Sequence, residues 1–176
     1  MPARCPTARA MQAADGRGLH TLRAIACEQG QLNRADGSAR FSHADSCVLA
    51  SVLGPAGVQK RQEIVNRAAV EVVFKPVSGG PGALEKDMEA VIRQIVDAAV
   101  MTHLHPRTLI RVVIQELNGD GSLLAVAINA VCVALIDAGI PMRHAFVAAN
   151  VVRALALAWG ILCFGFPRAG RLLRWP

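Results

Sequence analysis

The chain has 176 residues, of which 53% are hydrophobic, enough to bury the core of one domain and too few for two independent cores. Its formal charge of +6 suggests an acidic partner, but the charge lies in the arms: residues 1–27 hold four arginines against Asp15 alone, residues 138–176 hold five arginines and no acid, and residues 28–137 carry ten Lys/Arg against twelve Asp/Glu. Composition therefore gives no support to a broad nucleic-acid-binding face on the folded body.

In chain order, residues 1–19 read as a disordered leader. They contain arginines but no apolar stretch, which excludes a secretory signal; a mitochondrial presequence is the lesser reading. Residues 22–27, 37–41, 46–53 and 68–75 are short runs of alternating or β-branched apolar residues, separated by turn chemistry at Asp36-Gly37 and Gly54-Pro55, and predict an antiparallel opening of four strands. After the loop Val77-Ser78-Gly79-Gly80-Pro81-Gly82, the residues Leu84, Met88, Val91, Ile92, Ile95 and Ala99 recur at the spacing of an amphipathic helix. A strand is expected over 109–117, with Val113, Gln115 and Leu117 on one side and Ile114 and Glu116 on the other. The chain then turns at Asn118-Gly119-Asp120-Gly121. From Ser122, a candidate N-cap, an uncharged apolar run continues to Asp137, and Gly139 with Pro141 ends it. A helix apolar on all sides is a buried helix. A further strand is expected near Phe146. The order of elements predicts a two-layer α+β domain, with helices packed on a mixed sheet.

Cys5, Cys27, Cys47, Cys132 and Cys163 are odd in number, widely spaced and without a CxxC pair. This pattern argues against a disulfide framework or a zinc site and indicates a reducing compartment. His103 and His105 flank a proline turn and read as structural, so no metal ligand set is expected. Asp45, Asp120 and Asp137 are the carboxylates open to a catalytic reading, but each sits at a turn or a helix end, where capping is the commoner role.

Several of these stretches resemble the RNase PH family when taken together and in order: Cys27-Glu28-Gln29-Gly30, Asn33-Arg34-Ala35-Asp36-Gly37-Ser38, Asp45-Ser46-Cys47-Val48-Leu49-Ala50 with Gly54-Pro55, Leu104-His105-Pro106-Arg107-Thr108, Asn129-Ala130, and the run from Ala134 to Arg143. The resemblance extends from about Leu19 to Ala149, and within the family it is to the RNase PH-like ring subunits of the RNA exosome. It implies a ribosomal protein S5 domain 2-like fold over residues 20–149, incomplete at its C-terminus, followed by a divergent hydrophobic and basic tail over 150–176.

Active members of that family cleave RNA from its 3′ end with phosphate as the attacking group. Such chemistry needs cations against two anionic phosphates. Where active relatives carry a Gly-Thr-Arg-like element, this chain has Gly121-Ser122-Leu123-Leu124, so Gly121 and Ser122 are the remnant of a phosphate loop. Relatives also carry arginines before the first helix and acids on strands after the second. Here the first place holds only Lys86 beside Glu85, and Asp137 is the last acidic side chain.

The resemblance thus implies a noncatalytic subunit with no catalytic residues, cofactor or metal. Its partners would be other RNase PH-like subunits in a hexameric ring, cap subunits with S1 and KH domains, and single-stranded RNA, in nucleus, nucleolus and cytoplasm. Lys75, Lys86, Arg93 and Arg107 are the candidate cations for the RNA backbone. An active phosphorolytic nuclease, a nonfunctional splice or truncation variant, and a tail-anchored membrane protein are the alternatives. The last rests on residues 146–166, which hold Arg153 as their one charge. Arg153 itself, Gly160 and Gly165 count against a membrane span, and no membrane is expected.

Overall fold

The computed structural model describes residues 22–58, 63–151 and 160–165. The leader expected over 1–19, Arg153 and the basic segment 168–174 lie outside the described residues.

Five strands form one sheet: β1 (Ile25–Gln29), β2 (Gly37–His43), β3 (Ser46–Gly57), β4 (Ala69–Lys75) and β5 (Thr108–Asn118), in the order β1-β2-β3-β5-β4. The first three are antiparallel neighbours, and β3 pairs antiparallel with β5. The expected run of four antiparallel strands is therefore corrected. β4 pairs with β5 in parallel and never touches β3 as a ladder partner. Helix α1 (Ala83–Ala99) links it to β5, and such a helical crossover returns the chain parallel to the strand it left.

A second correction concerns Gly54-Pro55. It is not a turn but lies within β3, beside a register shift between Leu53 and Ala56. Proline is tolerated there because a bulge removes the need for a ladder donor. The first strand also begins three residues later than expected, at Ile25.

One face of the sheet carries the core. Val48, Ala50, Val52, Val72, Phe74, Ile110, Val112 and Ile114 are buried at alternating positions beneath the helices. Helix α1 turns Ile92, Val96 and Ala99 inward; Met88 and Ile95 pack against the same core, as their spacing predicts. Its start is fixed by Glu85, whose carboxylate accepts the Gly82 N–H at 2.8 Å.

Helix α2 (Leu123–Asp137) has nine buried residues, among them Ile128 and Leu135. Full burial of each such side chain contributes about 1.5–3 kcal/mol. The helix lies directly on β2, where a methyl group added to Gly37 would collide with Ala134 O and Ala138 N. Beyond its end, Gly139 adopts φ +66°, and the Ile140 N–H donates to Leu135 O at 3.2 Å. The left-handed glycine closes the helix as the sequence predicts.

A two-stranded antiparallel sheet completes the described chain: β6 (Phe146–Val151) with β7 (Gly160–Gly165). Part of the apolar stretch over 146–166 is thus extended. No helix among the described residues is long and apolar enough to cross a membrane.

Candidate functional site

The parallel pair β4 and β5 ends on one rim of the sheet, and both helices begin there. Lys75 closes β4 and Gly82 precedes α1, while Asn118 closes β5 and Ser122 precedes α2. Helix N-termini gathered at the carboxyl ends of parallel strands favour anions, because their first amides lack intrahelical acceptors.

The loop before α2 is tied down from below. Ser46 is fully buried; its hydroxyl donates to Gly121 O at 2.8 Å and accepts the Asp120 N–H at 3.0 Å. Asn118 Nδ2 donates to Asp45 O at 2.7 Å. Two consecutive left-handed residues, Gly121 at φ +73° and Ser122 at φ +43°, then swing the chain into the helix. Ser122 occupies the N-cap position, but its side chain makes no capping bond; the expected hydroxyl cap is corrected to a carbonyl that accepts from Ala125 and Val126. A left-handed backbone replaces the extended one from which a serine side chain reaches the first turn.

Around this loop the charges oppose an anion. Leu123 and Leu124, in the places where a cation would be needed, are partly buried and pack against the core. Asp45 and Asp120 flank the turn, and Glu116 lies over Gly119, where an added methyl group would strike its carboxylate. Residues 115–125 contain no lysine or arginine. These acids are what a search for lost cations misses. Their signal in the sequence is the pair of turns Asp45-Ser46 and Asn118-Gly119-Asp120, which only the fold brings together.

The four candidate cations do not form one cluster. Lys75 is exposed at the rim, at the end of a cross-strand row running Glu28, Arg40, Leu49, Gln115, Lys75 on the face away from the helices. Lys86 stands in the first turn of α1 at the same rim, and Arg93 lies two turns further on, both exposed. Arg107 precedes β5 at the opposite end, where its Nε lies 3.3 Å from a Glu63 carboxylate oxygen. An eleven-residue strand separates it from the rim, roughly 36 Å.

The other named groups have structural partners. Asp137 accepts the Ser38 N–H at 2.9 Å and ties the end of α2 to β2. His103 belongs to the short turn Thr102–Leu104, and His105 O accepts the Thr108 hydroxyl. Burial raises the thiol of Cys132 above its ordinary value. Among the described residues, no group of three His, Cys, Asp or Glu is placed to hold a metal.

Residues 21–141 match the model of the 3′ exoribonuclease family, domain 1 (RNase PH). A relative from Arabidopsis thaliana, named exosome complex exonuclease RRP46 homolog, is 44% identical over 76% of this chain and 56% of its own length. The chain thus spans a little over half of that relative. The crystal structure of rice (Oryza sativa) Rrp46 superposes with a TM-score of 0.82 at 35% identity, covering 91% of this chain and 82% of that one. An archaeal exosome core subunit shares the fold at a TM-score of 0.67 and 19% identity, over 86% of this chain and 73% of its own.

Proposed function

The chain belongs to the RNase PH family of 3′ exoribonucleases, and from that premise we propose that it acts as a noncatalytic subunit of an RNA exosome. In this reading it joins other RNase PH-like subunits in a hexameric ring beneath S1 and KH cap subunits. It supports 3′-to-5′ processing of ribosomal RNA and decay of messenger RNA in nucleus, nucleolus and cytoplasm. Residues 20–149 form the assembling unit. Lys75, Lys86 and Arg93 touch the RNA backbone; Arg107 does so more weakly, because Glu63 already engages it.

The observation that carries the noncatalytic reading is the start of α2. A phosphate entering that rim meets helix amides but no guanidinium: Leu123 and Leu124 turn into the core, and Asp45, Glu116 and Asp120 surround the loop. The loop before α2 supplies no side-chain cation of its own against the repulsion between the attacking and scissile phosphates, and that compensation is the largest contribution such a site makes.

The test is to co-express the chain with RNase PH-like subunits, purify the complex and incubate it with single-stranded RNA with and without inorganic phosphate. Co-elution with identical RNA lengths in both reactions is expected. Failure to bind any such subunit would end the ring reading. Phosphate-dependent release of nucleoside diphosphates would support the second reading, an active phosphorolytic nuclease, which is favoured by the word exonuclease in the relative's name and by two helix N-termini sharing one rim.

A further inference from the structure

Of the five asparagines in the chain, Asn33 and Asn66 precede arginine, Asn129 precedes alanine and Asn150 precedes valine; Asn118 alone precedes glycine. The successor matters because the backbone nitrogen that follows an asparagine can attack its side-chain carbonyl, and glycine brings no β-carbon to crowd that approach. Asn118 ends β5 and Gly119 opens the turn, and both are exposed. The carboxamide of Asn129, by contrast, is held from both ends by the backbone of Ala148. Two Asp-Gly pairs share the pattern less well. Asp36 Oδ2 accepts the Gly54 N–H at 2.7 Å, and Gly37 is packed against the end of α2. Asp120-Gly121 is exposed, but an ionised carboxylate is a poorer electrophile than a carboxamide.

We propose that Asn118 is a site of spontaneous deamidation, which loosens the loop before α2 as the protein ages. The Gly119 nitrogen gives up its proton to solvent hydroxide and bonds to Asn118 Cγ. The bond from Cγ to Nδ2 breaks, and that nitrogen leaves as ammonia with a proton taken from water. Water then opens the resulting succinimide at one of its two carbonyls. The product is an aspartate, or an isoaspartate whose main chain runs through the former side chain. Water is the sole co-reactant, the net change is loss of ammonia and gain of water, and nothing is oxidised or reduced. The step does not depend on the ring reading.

The contacts of the loop show what the step undoes. Asn118 Nδ2 donates to Asp45 O at 2.7 Å, and a carboxylate in its place sets acceptor against acceptor. That bond also restrains the carboxamide beforehand, so the folded chain reacts more slowly than the unfolded one. The new charge joins Asp45, Glu116 and Asp120 around one loop, where like charges repel. In the isoaspartate, an extra main-chain carbon separates β5 from Asp120. The Ser46 hydroxyl accepts the Asp120 N–H at 3.0 Å and donates to Gly121 O at 2.8 Å; the added carbon shifts both groups off the hydroxyl that holds them.

Incubation of the full chain for several days at neutral pH and physiological temperature tests it. Peptide mapping is expected to find a gain of about one mass unit at Asn118, at least tenfold faster than at Asn33, Asn66, Asn129 or Asn150. A protein-isoaspartate methyltransferase with a labelled methyl donor is expected to label the same peptide. Gly119→Ala, whose added methyl group meets only the movable carboxylate of Glu116, is expected to slow the gain at least tenfold with circular dichroism unchanged. In the reacted fraction, amide hydrogen exchange at Asp120 is expected to speed up at least tenfold. Four results overturn the proposal: a mass gain no faster at Asn118 than at the other asparagines; an unchanged rate in Gly119→Ala; methyl labelling without a mass gain, which places the reaction at Asp120 instead; or an Asp120 amide as protected after the reaction as before it.

Discussion

The carboxamide of Asn129 and the backbone of Ala148 exchange both of their hydrogen bonds, Nδ2 donating to Ala148 O at 2.9 Å and Oδ1 accepting the Ala148 N–H at 2.8 Å. A side chain on α2 thus does for β6 what a neighbouring strand would do. Asn129→Ala leaves a buried peptide group unpaired. It is expected to lower stability by about 2–3 kcal/mol, read as a lower urea midpoint with an unchanged slope.

Gly37 has no room for a side chain. Gly37→Ala drives a methyl group into Ala134 O and Ala138 N, both backbone, so neither can rotate away. A loss of about 3 kcal/mol is expected. Gly57→Ala, where the added group meets nothing within 4 Å, is the control and is expected to stay within about 0.5 kcal/mol of the parent. Parallel thermal melts of the two variants check this.

Restoring one cation does not restore phosphate chemistry. Leu124→Arg is expected to cost about 1–2 kcal/mol in lost packing and to give no phosphate-dependent release of nucleoside diphosphates, because Glu116 and Asp120 remain beside the loop. Thin-layer analysis of labelled RNA after incubation with phosphate gives the answer.

Charge reversal separates the candidate RNA contacts. Lys86→Glu with Arg93→Glu is expected to weaken binding of single-stranded RNA about tenfold at low salt and to lower the salt slope by about 2. Arg107→Glu breaks an exposed ion pair with Glu63; it should change affinity less than twofold and stability by under about 1 kcal/mol. Fluorescence anisotropy over a salt series distinguishes the two.

What could be read from the sequence was whatever depends on local pattern. The stripe Met88, Ile92, Ile95 and Ala99 marks α1, the uncharged run before Asp137 marks α2, and Gly139 marks its end. The parallel placement of β4 was not legible, since alternation in residues 69–75 reports a half-buried strand and is silent on which neighbour it joins. Gly54-Pro55 misleads for a similar reason: the dipeptide favours a turn in isolation, and only pairing with Leu109 and its neighbours keeps the strand going. At the candidate site, the loss of cations could be read from Leu123 and Leu124. The convergence of the acids on one loop could not, because Asp45 and Asp120 are distant in sequence and are brought together by the fold, through the buried hydroxyl of Ser46 and the Asn118–Asp45 hydrogen bond.

The position of β5 between β3 and β4 also governs how the chain can be made. A ribosome that has released residues up to Lys75 exposes a hairpin meander and a fourth strand with no mate, and it must synthesise the whole of α1 and then β5 before either ladder can close. Local structure forms early, but the body locks only once Asn118 has emerged. Until then β3 and β4 each present a bare apolar edge to solvent and to one another. A nascent chain stalled anywhere in α1 is therefore a substrate for chaperones, and one released past Asn118 has a sheet to fold on.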